Sequence, residues 1–216
     1  MKIFLLLLLL SYNLLSQTPF PDSLVIAEQE MRSVQYEIGG GLLLPFKSKN
    51  YEGGTGGNLF LEVRSTTPIS IRANVGWYSA DTRIDYLSKG SSSFLYLELS
   101  ILLRAMTGTL QPFGGLGIGF YSIDNSLDKE VIDFFNQLDF GVKEEIQGGA
   151  GFHFRGGFDL LFESNFGVFI EMKYWLYNPE ATSTVYPLDH PSNETEVSKE
   201  IELSNLNLIL GLFIIL

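Results

Sequence analysis

From residue 34 to its end, the chain is a succession of strand-length segments in which apolar and polar residues alternate at every second position. Such alternation is typical of β-strands that have two different environments on their two faces. Eight segments can be counted, at about 34–45, 58–64, 69–78, 93–106, 110–122, 146–162, 167–177 and 201–216. The sequence therefore predicts an all-β fold.

The connections between these segments alternate in length. Long connections span 46–57, 79–92, 123–145 and 178–200, and tight ones span 65–68, 107–109 and 163–166. In transmembrane barrels the short turns face the periplasm and the long loops project outward, whereas a soluble sandwich has no reason to keep its long loops at one end. The pattern predicts an eight-stranded antiparallel up-and-down transmembrane β-barrel.

The two faces of each segment indicate which side of the barrel meets lipid. In 93–106 one face carries Leu97, Leu99 and Ile101, and the other carries Glu98 and Arg104. Over all segments the polar faces hold five acids, five bases and many glycines, and eight strands leave room inside for side chains only. Because buried charges must be paired, we predict a salt-bridge network that plugs the lumen. Its predicted members are Glu37, Glu62, Arg64, Arg72, Glu98, Arg104, His153, Arg155, Asp159, Glu171 and Lys173.

Aromatic residues gather near both ends of the segments, where outer-membrane barrels carry interfacial girdles. On the long-loop side the predicted girdle comprises Phe46, Trp77, Tyr78, Phe94, Phe120, Tyr121, Tyr174, Trp175 and Tyr177. On the turn side it comprises Phe158, Phe162, Phe166 and Phe213.

The first residues have the pattern of an export signal. Lys2 precedes an apolar run over 3–10, which is too short for a spanning helix, and Ser16 is a small residue suited to cleavage. We expect a cleaved signal peptide at 1–16, a periplasmic N-terminal segment at 17–33 and an outer-membrane barrel domain at 34–216.

Composition and motif spacing exclude several classes of function. The chain has no cysteine, so it has no disulfides and no thiol chemistry. Its net charge of −11 has the wrong sign for binding nucleic acid. No helix follows the glycine-rich stretch 114–119, and the acids of 123–145 lack the order of a calcium loop. We therefore predict no cofactor, no metal site and no nucleic-acid partner.

Two stretches resemble the small eight-stranded outer-membrane β-barrel family, which comprises the OmpA-barrel and OmpW-like proteins of diderm bacteria. The first is LQPFGGLGIGFY at 110–121, and the second runs from QGGAGF at 147–152 through FDL at 158–160 to EMKY at 171–174. The resemblance implies a location in the outer membrane of a diderm bacterium, in contact with outer-membrane lipid and lipopolysaccharide. It also implies insertion by the barrel-assembly machinery, and it leaves any external partner unknown.

Four functions are compatible with these features. The first is a non-enzymatic structural or loop-interaction role in the cell envelope, and the second is an OmpW-like conduit for small apolar molecules. The third is a PagL-like lipid A deacylase, because His190-Pro-Ser192-Asn193 resembles the His-x-Ser-Asn element of that family. It would make Ser192 the nucleophile, His190 the base, and Asp189 or Glu194 the orienting acid. The fourth is a soluble lipid carrier of lipocalin type, with the apolar face inside.

The helical spacing of 131–138 (VIDFFNQL) predicts a short helix in the third long connection. Its apolar residues could contact a partner, but we favour packing against their own loop.

Overall fold

The computed structural model describes residues 34–47, 51–65, 67–83, 89–105, 108–162 and 165–216. The expected signal peptide at 1–16 and N-terminal segment at 17–33 lie outside these residues. The described chain forms eleven strands and one helix. They are β1 (Gln35–Pro45), β2 (Tyr51–Arg64), β3 (Ile69–Arg83), β4 (Lys89–Arg104), β5 (Leu110–Leu127), α1 (Lys129–Asn136), β6 (Phe140–Ile146), β7 (Gly149–Leu161), β8 (Phe166–Leu176), β9 (Glu180–Pro187), β10 (Thr195–Glu200) and β11 (Asn205–Ile215).

Eight of these strands form a closed antiparallel barrel in the order β1, β2, β3, β4, β5, β7, β8 and β11. Following paired residues around the sheet from Glu37 in β1 leads to Asn205 in β11. Glu37 itself pairs with Ile215, ten residues further along that strand. This stagger closes the barrel with strands tilted by about 35–45°. The predicted fold class is confirmed.

The outward face of the barrel wall is apolar. Along β4 the outward side chains Leu95, Leu97, Leu99, Ile101 and Leu103 are 52–59% exposed, and the residues between them are buried. Apolar side chains thus surround the barrel and polar ones point inward, as a membrane barrel requires. The soluble lipid-carrier alternative is wrong, because it needs the apolar face inside.

Strands β2, β3, β4 and β5 are longer than the alternation predicts. Two of the predicted long connections shrink to 46–50 and 84–88. In these strand extensions the outward positions hold small polar residues such as Ser79, Ser91 and Ser126, which are exposed. The difference in hydrophobicity between outward and inward residues disappears there, although the strands continue. The alternation therefore does not reveal these extensions.

The other two long connections contain structure of their own. Strands β6, β9 and β10 form a second antiparallel sheet, with β9 in the middle. Helix α1 starts and ends two residues earlier than predicted, and none of its residues is buried. The helix contacts β6 of its own connection, and Val131 and Phe135 are half-buried, so the expected packing against its own loop is partial. None of the helices described is long and apolar enough to span a membrane.

The predicted girdles are only partly correct. Trp77, Phe120 and Tyr174 point outward and are exposed. However, six residues assigned to the girdles are buried inside the barrel: Tyr78, Phe94, Tyr121, Trp175, Tyr177 and Phe213. Five of them occupy inward positions along their strands, and Tyr177 follows directly after β8 on the same inward side. The position along the strand determines the direction of a side chain, whatever its distance from the strand end.

Candidate functional site

The candidate site is the lumen, into which alternate residues of all eight barrel strands project. Glycines make room for the long side chains on facing strands. At Gly117 a Cβ atom would lie 2.2 Å from the Leu99 carbonyl oxygen and 2.6 Å from His153 Nε2. All eleven residues of the predicted network are buried in this interior.

Six of the charged residues form a lower tier, near the short turns. Its acids are on β1, β2 and β7, and its bases are on β2, β3 and β4. Its members are Glu37, Glu62, Asp159, Arg64, Arg72 and Arg104. Arg64 pairs with Glu37 and lies 3.0 Å from Asp159, which also pairs with Arg104. The carboxylates and guanidiniums of this tier thus form one connected cluster.

Glu62 is the centre of the lower tier. Its carboxylate accepts a 2.7 Å hydrogen bond from Arg72 Nε and bonds of 3.1 and 2.9 Å from Arg104 Nε and Nη2. Arg64 Nε lies 3.3 Å from the same carboxylate. Three guanidinium groups therefore share one carboxylate, which is itself inaccessible to solvent.

Four further charges form an upper tier, comprising Glu98, Glu171, Arg155 and Lys173. Lys173 Nζ donates to both oxygens of Glu98, at 3.1 and 2.9 Å, and Arg155 Nη2 donates to Glu98 at 2.8 Å. Glu171 joins the tiers, because its carboxylate lies 2.9 Å from Arg72 and 3.5 Å from Arg155.

The charges balance within each tier as well as over the whole lumen. The lower tier holds three acids and three bases, and the upper tier holds two of each. A buried charge is tolerated when it is paired and hydrogen-bonded, and it destabilises the protein strongly when its partner is missing. Local neutrality therefore allows ten charged side chains to fill the interior.

His153 lies beside the upper tier and is fully buried. Its Nε2 atom lies 2.9 Å from Ser100 Oγ, and its Nδ1 atom lies 3.8 Å from Glu98. The lumen also contains buried neutral polar residues that the predicted network leaves out, among them Asn58, Asn74, Ser100, Gln111, Asn205 and Asn207. They occupy inward positions, so the alternation alone places them in the lumen. The predicted network omits them because it includes ionisable residues only.

Above the upper tier, towards the long connections, the lumen is filled by aromatic rings. The Trp175 ring lies 5.2 Å from Tyr78, 5.1 Å from Tyr96 and 5.1 Å from Tyr121. Lys173 Nζ lies 4.2 Å from the centre of the Tyr96 ring and so links the aromatic layer to the charged tier. Buried apolar residues of the connecting segments cover this layer: Ile146, Ala181, Ile201 and Leu203.

The residues proposed for deacylation lie elsewhere, in an exposed turn between β9 and β10. The His190 and Asp189 side chains are 72% and 78% exposed, with 4.0 Å between Nε2 and Oδ2. Within the described segments, no hydrogen bond joins Ser192 to His190, and no group of three or more His, Asp and Glu side chains is arranged to hold a metal ion. The turn therefore lacks the hydrogen-bonded contact that would activate a serine.

The family model of the outer membrane protein beta-barrel domain matches residues 5–200 of the chain. The chain belongs to this family. Its members are barrels of the outer membrane. The closed barrel and the apolar outward face of its wall, which we call the apolar belt, agree with this location. No curated protein is a significant match.

Solved outer-membrane barrels share the fold. OprG from Pseudomonas aeruginosa has a TM-score of 0.68 and 15% identity, over 87% of this chain and 98% of that one. A major outer membrane protein from Thermus thermophilus has a TM-score of 0.56 and 13% identity, over 86% and 100%. Ail, the attachment invasion locus protein of Yersinia pestis, has a TM-score of 0.53 and 13% identity, over 86% and 100%. At these identities the likeness concerns the fold alone.

Proposed function

We propose that this member of the family is a closed, non-enzymatic barrel with a structural role, which presents its external sheet and helix at the cell surface. The observation that carries this proposal is the filled interior. Two charge-balanced tiers and an aromatic layer occupy successive levels of the lumen, and nearly every inward side chain is buried. Such an interior supports rigidity and anchoring rather than transport.

An OmpW-like conduit for small apolar molecules has less support. An apolar solute that entered from the outside would have to displace the rings around Trp175 and then separate the ion pairs of Glu98 and Glu62. Breaking a buried ion pair costs several kcal/mol, and an apolar solute offers no replacement partner. The lining chemistry therefore disfavours this cargo.

A deacylase has less support as well. A serine nucleophile needs a base within hydrogen-bonding reach and a third group that orients the base. Ser192 and His190 lie in the exposed turn described above, and Asp189 is too distant from His190 to orient it by a hydrogen bond. We therefore propose that the protein has no enzymatic activity.

We also propose a route by which the protein reaches the outer membrane. Residues 1–16 act as a cleaved signal peptide, and the barrel-assembly machinery inserts the remaining chain. The belt then contacts outer-membrane lipid, and lipopolysaccharide surrounds the external segments. The acidic net charge of −11 supports the absence of any nucleic-acid partner.

Single-channel recording tests the closed lumen. We expect the purified protein, folded and inserted into a planar bilayer in potassium chloride, to give no stepwise current, because the two tiers and the aromatic layer leave no continuous water path. A general diffusion porin added to the same bilayer is the control for sensitivity. Reproducible current steps from the wild-type protein would contradict the proposal.

A further inference from the structure

The external segment around α1 leaves an apolar patch about half exposed. The apolar residues of 131–138 have the spacing of one helix face. Four large apolar side chains on and beside this face of α1 are 41–53% exposed: Phe134, Leu138, Phe140 and Leu188. We call these four residues the α1 patch. Exposed patches of this kind mark sites of contact with other molecules.

The turn after α1 brings the members of the patch together. Asp139 adopts a left-handed backbone conformation, with φ of 60°, and the chain turns there from α1 into β6. The Leu188 amide then donates a 2.9 Å hydrogen bond to the Asp139 carbonyl, and Phe140 pairs with Pro187. The end of β9 is therefore fastened beside the end of the helix.

The patch lies beyond the apolar belt. The outward residues of β5 change from apolar Phe120 to Ser122, Asp124 and Ser126 before α1 begins, and all four are exposed. The belt therefore ends below the helix, and contact with the hydrocarbon core does not account for the exposure of the patch.

The charges around the patch are strongly acidic. Glu130, Asp133 and Asp139 are exposed within or directly after α1. The segment 123–145 contains seven acids and two lysines, and the segment 178–204 contains six acids and one lysine. A partner that buries the patch must therefore bring positive charge to its rim.

These charges distinguish between the possible occupants. Helices that lie on membranes carry mainly Lys and Arg on their polar face, whereas α1 carries Glu130 and Asp133 there beside the single base Lys129. A second copy of this chain would bring a similarly acidic surface against this one, so like charges would meet. A partner with apolar side chains flanked by Lys or Arg satisfies both the patch and its rim.

We propose that the α1 patch is a docking surface for a cationic amphipathic segment of another protein or peptide. Apolar side chains of the partner cover Phe134 and Leu138, and its basic side chains pair with Glu130, Asp133 and Asp139. This inference goes beyond the structural role proposed above, and it holds whether or not the lumen conducts.

Binding of a model peptide tests the proposal. The probe is a fluorescent 14-residue Leu/Lys peptide designed as an amphipathic helix, and the protein is folded in phosphatidylcholine nanodiscs, with empty nanodiscs subtracted. We expect the probe to bind at least tenfold more tightly than a scrambled Leu/Lys peptide and a Leu/Glu peptide with the same apolar face. We expect Phe134→Ser/Leu138→Ser to weaken binding at least tenfold. The matched control Val197→Ser, at a 63% exposed site on β10, should leave binding unchanged.

Three results would overturn the proposal: binding no stronger than to empty nanodiscs, equal binding of the scrambled peptide, or equal losses in the patch variant and the control. A second experiment tests whether the α1 patch contacts lipid instead of a protein. Because the chain has no cysteine, Phe134→Cys can carry a single fluorophore. Its quenching by a nitroxide-labelled lipid would place the patch in the bilayer and overturn docking of a protein. Heat-shifted gel mobility verifies that each variant is folded.

Discussion

Replacing Glu62 with glutamine is expected to lower the free energy of unfolding by about 3–5 kcal/mol, the cost of leaving buried charges without their partner. Glutamine keeps the shape of the side chain but removes the negative charge that Arg72, Arg104 and Arg64 share. The lower tier then holds three bases and two acids. Urea-induced unfolding in lipid vesicles, followed by tryptophan fluorescence, measures the change.

The matched control for this variant is Glu196→Gln, which removes the same charge from an exposed position on β10. It should leave the unfolding midpoint unchanged, because a solvated carboxylate has little effect on stability. If Glu62→Gln behaved like Glu196→Gln, the lower tier would not be the buried network described here.

Removing both Glu98 and Lys173 is expected to cost less than the sum of the two single losses. Glu98→Gln leaves the Lys173 ammonium buried without its main partner. Lys173→Met leaves the Glu98 carboxylate buried without the Lys173 ammonium. The double variant leaves Arg155 facing Glu171, so the upper tier stays neutral. A double-mutant cycle should give a coupling of about 2–3 kcal/mol, near the upper limit for contacting residues.

The control cycle combines Glu98→Gln with Arg104→Met. These two residues are six positions apart on β4, about 20 Å at the rise of a β-strand, and they belong to different tiers. Their effects should add to within about 0.5 kcal/mol. Equal coupling in the two cycles would contradict the division of the lumen into two tiers.

The alternation in the sequence predicts the direction of most side chains in the wall. Leu99 points outward and Glu98 inward because lipid and lumen select opposite residue types at adjacent positions. The pattern fails at Tyr78 and Trp175, because an aromatic ring suits both an interfacial girdle and a packed interior. Their inward positions in the alternation indicate the interior, whereas their closeness to the strand ends does not determine their direction.

The partners within the lumen could not be predicted from the pattern. Glu98 and Lys173 lie 75 positions apart in the sequence and on strands that are not neighbours, β4 and β8. Their meeting depends on the ten-residue stagger that closes the barrel. The external sheet was also missed, because strands such as β10, TEVSKE, are short and fully exposed and so carry little hydrophobic pattern.

The reactivity of a single cysteine placed in the lumen tests most directly whether the interior is closed. Ser100 is 1% exposed and lies beside His153, and the chain has no native cysteine. In the protein folded in vesicles, Ser100→Cys should resist a charged, water-soluble maleimide that fully modifies the exposed reference Val197→Cys, and both should react in urea. Modification of Ser100→Cys in the folded protein at a rate near that of the reference would contradict the closed lumen.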